Sequence, residues 1–256
     1  MGQPVVEKQR GTTPAERYLA RLCERTFLSL WSYPSVSRDV FVPGTKTGKE
    51  VCDLLVLFED RILIFSDKDC AMARTENIEL DWSRWFRKAI VENARQAHGA
   101  ERWICKYPSR LFLDRACTIP LPISPSIHAR TKFHLIVVAH AVSGRCREML
   151  GGSGSLMLRS DLKGKDAHVH PFAVGDLNPA KSFVHVLDDT TLDILMLELD
   201  TVSDFVSYLD KKEELIRKGP TLLAAGEEEL LSNYLRNTDD LHRHCFRQAF
   251  RLHCAD

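Results

Sequence analysis

The stretch from residue 51 to 66 constrains this chain more than any other. Two runs rich in Leu, Ile, Val and Phe, at 51–58 and 61–66, are separated only by Glu59 and Asp60. Runs of that length and composition read as strands, and a two-residue link makes them a hairpin. The link lacks the Asn-Gly or Asp-Gly chemistry that favours such turns. The runs are apolar enough to be central strands of a sheet covered by helices, which points to an α/β protein.

The flanking sequence supplies helices. Thr13-Pro14-Ala15-Glu16 reads as a helix start, with Thr13 as N-cap, Pro14 at the first helical position and Glu16 completing a capping box. Leu19, Leu22, Cys23, Phe27 and Leu30 recur at helical spacing, and Tyr33-Pro34 should end that helix. A first strand is expected at 35–42. A long helix is expected at 81–104, with Trp82, Trp85, Phe86, Ala89, Ile90, Asn93 and Ala97 near one stripe. Strands follow at 110–113 and 133–142, on either side of the Pro-rich loop TIPLPISPS. After GGSGS the texture changes to short strands at 155–158 and 183–187, then acidic helices at 190–199, 201–217 and 227–236. The chain divides near residue 150 into a core, 13–150, and a mainly helical acidic extension, 151–256.

Formal net charge is zero, so no global field draws the chain to a polyanion. The distribution is uneven. Residues 84–115 hold eight basic against three acidic side chains, and residues 186–240 hold five against fourteen. Nucleic acid would meet the first region, and a basic protein partner could dock on the second. No run of about eighteen apolar residues occurs, so no membrane association is expected. The N-terminus lacks the apolar segment of a secretory signal, and Val6 breaks a myristoylation motif, so a cytoplasmic location is expected. Eight cysteines without a CxxC pair read as buried reduced thiols.

Chemistry concentrates at the hairpin ends. Asp53 opens the first central strand, Lys68 follows the second, and a basic helix comes next. "EVCDLLV" followed by "ILIFSDK", in the order helix, three strands, helix, two strands, resembles the PD-(D/E)xK nuclease superfamily, in its NERD, Mrr and RecB-like branch. The resemblance covers about residues 13–142. It implies a restriction-endonuclease-like fold, a mixed sheet flanked by helices. It also implies a nuclease dependent on Mg²⁺ or Mn²⁺, acting on DNA more readily than RNA, with defence or repair as a fitting role. In that reading Asp53 holds the metal and Lys68 orients the attacking water or stabilises developing charge.

One position departs from the pattern. Two residues before Lys68, where the family carries Asp or Glu, stands Ser66. Alternate strand residues share a face, so Ser66 would line the site beside Lys68 while Asp67 points away unless the strand bends. Substitute ligands are Glu50, Asp67 and Glu16. Arg84, Arg87, Lys88 and Arg95 are candidate phosphate contacts, and Gln96 matches a helix glutamine of RecB-like nucleases. The alternative is a module of the same fold that no longer cuts and instead binds nucleic acid or a protein. Elsewhere, the His and Cys residues of 241–254 match no zinc template and read as an exposed helical terminus. GGSGS reads as a turn, and Asp188-Asp189 read as caps of the helix that follows.

Overall fold

The computed structural model describes residues 13, 14, 17–21, 31–40 and 47–247. Its centre is the expected hairpin. Strands β2 (Lys49–Phe58) and β3 (Arg61–Lys68) pair antiparallel, from Phe58 opposite Arg61 to Leu54 opposite Phe65. Glu59 turns the chain with a φ of 51°. That left-handed conformation costs a non-glycine residue about 1–2 kcal/mol, and the buried strands on either side offset it.

Strand β1 (Ser32–Arg38) lies antiparallel on the far side of β2 and forms an edge of the sheet. It starts before the expected position and takes in Tyr33 and Pro34, which the sequence read as the end of a helix. An edge strand tolerates a proline because one side of its backbone needs no ladder partner. Of the preceding helix, residues 17–21 are helical and the Arg17 amide donates to the Thr13 carbonyl at 3.0 Å.

Between β3 and the next strand the chain crosses over through one continuous rod. It comprises α1 (Ile78–Trp85), a π-helical turn (Phe86–Val91) and α2 (Glu92–Lys106). Trp82, Trp85, Phe86, Ala89, Ile90, Ala97 and Ile104 are buried, as their spacing implied. Strand β4 (Lys132–Ala139) then runs parallel to β3. Strand β7 (Val184–Asp188) runs parallel to β4 and completes a mixed five-stranded sheet in the order β1-β2-β3-β4-β7. Residues on both sides of position 150 therefore build one sheet and one apolar core.

A second sheet has the order β6-β5-β8, formed by β5 (Met157–Lys163), β6 (Ala173–Asp176) and β8 (Leu223–Ala224). Helices α3 (Ser143–Leu150), α4 (Asp189–Glu198), α5 (Val202–Lys218) and α6 (Glu227–Arg236) complete the described chain. Phe205 of α5 stacks on Phe65 of β3 at 6.4 Å, so the main sheet is covered on the face opposite the crossover rod as well. Asp188 is the N-cap of α4 and forms a capping box with Thr191, as read from the sequence.

Two expectations are corrected. Residues 110–113 do not form a strand: Phe112 makes isolated bridges to Ser37 and Pro120. Residues 237–247 form no helix, because the Asp239 carboxylate accepts the amides of Leu241 and Arg243 and folds the segment into a tight loop. Cys52, Cys70 and Cys146 are buried thiols and Cys105 is an exposed one. Among the described residues no helix is long and apolar enough to cross a membrane.

Candidate functional site

The register of the hairpin decides which side chains can meet. Leu55 lies opposite Ile64 and Leu54 opposite Phe65, and cross-strand partners share a face. Continued by one step, the register sets Asp53 opposite Ser66, so Asp53, Ser66 and Lys68 belong to the face under α2. Phe65 and Asp67 belong to the other face, under α5.

The paired ladder ends at Leu54 and Phe65. Beyond it, Asp53 Oδ2 accepts the backbone amide of Asp67 at 2.7 Å. The strand therefore does not turn the Asp67 carboxylate toward Asp53. Asp67 Oδ1 instead meets His140 Nε2 at 2.6 Å on the opposite face, and the Asp67 side chain is only 3% exposed. Ser66 is buried and donates its hydroxyl to Asn93 Oδ1 of α2 at 3.0 Å. Glu50 reaches toward Arg115, 3.4 Å away. Glu16 lies outside the described residues. The Cys52 thiol, next to Asp53, is pushed well above its usual range, first by burial and then by the Asp53 and Glu50 charges, and is unreactive.

Mg²⁺ and Mn²⁺ need convergent oxygen ligands, carboxylates above all. Of the proposed ligands, Asp53 has one oxygen committed to a backbone amide, Asp67 faces away and Glu50 is drawn to a guanidinium. No three His, Cys, Asp or Glu side chains gather into a metal-holding group among the described residues. The donor set does not fit a cation held by two or more carboxylates.

What the same face does offer is a basic cleft of about 710 Å³ between the open ends of β1, β2 and β3 and the side of the crossover rod. Six cationic side chains line it: Arg38, Lys49, Lys68, Lys88, Arg95 and Arg102. Among the described residues only Glu50 and Glu92 oppose them. Asn93, Gln96, Gly99 and Trp103 also line it. Asp53 is not among the lining residues.

Of the sequence candidates, Lys68, Lys88, Arg95, Gln96 and Glu50 thus come together at the cleft, and Ser66 sits behind it against Asn93. Arg84 and Arg87 are exposed on the rod but do not line the cleft. A π turn that takes in Arg87 lies between Arg84 and α2: the Glu92 amide bonds the Arg87 carbonyl, a five-residue step where the spacing assumed a single helical register. Arg38, Lys49, Arg102 and Asn93 went unrecognised as site residues. Only the local basic excess of 84–115 hinted at Arg102, and nothing local marks Arg38 or Lys49.

Trp103 is half-buried at the cleft wall with the Arg38 guanidinium 4.1 Å above its ring. Arg110 forms a bidentate pair with Asp39 and holds the end of β1 against this aromatic group. No family model, curated protein or solved structure matches this chain.

Proposed function

We propose that the protein binds nucleic acid, DNA in the first place, in the basic cleft of a restriction-endonuclease-like scaffold. The observation that carries the reading is the charge of the cleft. Six cations against two carboxylates line one concavity in a chain whose net charge is zero. Segregation of that kind favours a phosphate backbone, whose bound counterions are released when lysines and arginines replace them. The scaffold reading draws on the order β1-β2-β3-β4, with antiparallel first pairs, a helical crossover and β4 parallel to β3.

Fluorescence anisotropy with labelled single-stranded DNA, duplex DNA and RNA over a salt series tests this. Binding should weaken with rising salt, with a slope of about −0.7 per phosphate contact on single strands and −0.9 on duplex. Lys88→Glu with Arg95→Glu should weaken binding on all three and flatten the slope. A wild-type protein that retains no nucleic acid at low salt would refute the proposal.

Hydrolysis is the second reading, and one observation favours it: Asp53 and Lys68 share a face beside that cleft. The same oligonucleotides, incubated with Mg²⁺, Mn²⁺ or EDTA, decide it. Metal-dependent cleavage lost in Asp53→Ala and Lys68→Ala would make the protein a nuclease. Defence or repair would fit such a nuclease, and intact substrate under every condition leaves a binding module.

A further inference from the structure

We infer that this cleft takes the phosphodiester oxygen directly, on Lys68 and Asn93, with no divalent cation between protein and phosphate. The inference rests on the nucleic-acid reading above and specifies how the ligand is held.

Two observations carry it. The first concerns the position beside Lys68 on the cleft face of β3. A carboxylate there would converge with Asp53 on a cation, but Ser66 occupies it and its hydroxyl is tied to Asn93 Oδ1 at 3.0 Å. A neutral hydroxyl is a much poorer ligand for a hard divalent cation than the carboxylate it stands in for. Asp67, the adjacent acid in the strand, is turned to His140 on the far face and does not replace it.

The second is Asn93 itself. It is 3% exposed and lines the cleft, and its amide nitrogen has no hydrogen-bond partner among the described residues. Buried amide donors are nearly always satisfied, so this one marks where an acceptor belongs. The Ser66 bond orients the amide, with oxygen toward the serine and nitrogen left over. Lys68, exposed at the same wall, supplies the charge. A phosphate oxygen satisfies both groups, since it is anionic and accepts from each.

Gly99, one and a half turns further along the same helix, fits this picture. An alanine Cβ there would meet nothing closer than the Arg102 guanidinium at 4.0 Å, so packing does not require glycine in this helix interior. Its bare backbone leaves room for a ligand to approach the helix wall.

The test combines affinity with direct metal binding. Anisotropy with a single-stranded oligonucleotide is measured in EDTA and in excess Mg²⁺ at matched ionic strength. Subjects are wild type, Lys68→Ala, Asn93→Ala and the Lys88→Glu, Arg95→Glu pair. Manganese binding to the wild type is followed by electron paramagnetic resonance. The expected result is equal affinity in EDTA and Mg²⁺, a loss of about tenfold in each of Lys68→Ala and Asn93→Ala, and no protein-bound Mn²⁺ signal.

Circular dichroism confirms that Asn93→Ala folds, and exposed Lys68 carries the test if it does not. Three results overturn the inference: binding that requires the cation, a bound Mn²⁺ signal abolished by Asp53→Ala, or wild-type affinity in the Lys68 and Asn93 variants while the Lys88, Arg95 pair still weakens. The last separates failure of this inference from failure of the cleft reading, in which the wild type binds nothing and the inference falls too.

Discussion

Acid should unfold this protein through two core histidines. His134 of β4 and His185 of β7 are fully buried with ring centroids 5.8 Å apart. None of their ring nitrogens has a hydrogen-bond partner among the described residues. Burial disfavours the imidazolium and lowers the His134 pKa from 6.5 to about 4, while Asp210, 3.6 Å away, pulls the other way and Lys132 and Arg61 add to the lowering. His185 lies well below its ordinary value, again first by burial and then by the Lys212 charge.

Because the folded-state pKa is depressed, the folded chain keeps His134 neutral while the unfolded chain takes up a proton below 6.5. Its contribution is therefore complete above pH 6.5 and is lost as the pH falls from 6.5 toward about 4. The loss runs at about 1.4 kcal/mol per pH unit, or about 3 kcal/mol in all from His134. His185 adds to it in the same direction. A domain of ordinary stability has about 5–15 kcal/mol to lose.

The assay is urea unfolding of wild type and His134→Leu across that interval. Carboxylates titrate in both, so the difference between them isolates the histidine. The wild type should lose about 3 kcal/mol relative to the variant on acidification. Parallel decline of the two proteins would refute the reasoning and leave the carboxylates as the cause.

Three other outcomes follow from named contacts. Glu227→Leu strands the buried Lys212 ammonium, 2.5 Å from the Glu227 carboxylate, and the Tyr208 hydroxyl at 2.6 Å. It should cost about 3–5 kcal/mol in denaturant midpoint measurements, most of it recovered when Lys212→Met is added. Asp188→Ala removes the cap of α4 and the partner of the Leu156 amide at 3.1 Å, and should cost about 2–3 kcal/mol by thermal unfolding. Gly99→Ala should stabilise the fold by about 0.5–1 kcal/mol in the same measurement, because the site has room for a methyl group and the unfolded chain loses freedom.

Much of the fold was legible because it depends on local pattern. The apolar runs around Glu59 and Asp60 determined two central strands, and the spacing of Trp82, Trp85, Phe86, Ala89 and Ile90 determined a helix packed on them. Strand alternation alone separated Ser66 and Lys68 from Asp67, and the register of β2 and β3 agrees with it. Helices α4, α5 and α6 were legible as acidic helical segments, and Asp188 as the cap of the first of them.

The tertiary structure decided what local pattern does not encode. That β7 joins the first sheet is a long-range pairing with no local sequence signal. Which basic residues of the rod reach the cleft was decided by its packing on the sheet: Lys88, Arg95 and Arg102 line it, and Arg84 and Arg87 do not. The partners of Asp67 and Ser66 could not be read from sequence. Asp67 finds His140 across 73 residues, and Ser66 finds Asn93 across 27. Side-chain type and spacing offered Asp53, Ser66, Asp67 and Lys68 as a set. Strand alternation divided that set between the two faces of the sheet, and the folded chain supplied the partners: the Asp67 amide for Asp53, Asn93 for Ser66 and His140 for Asp67.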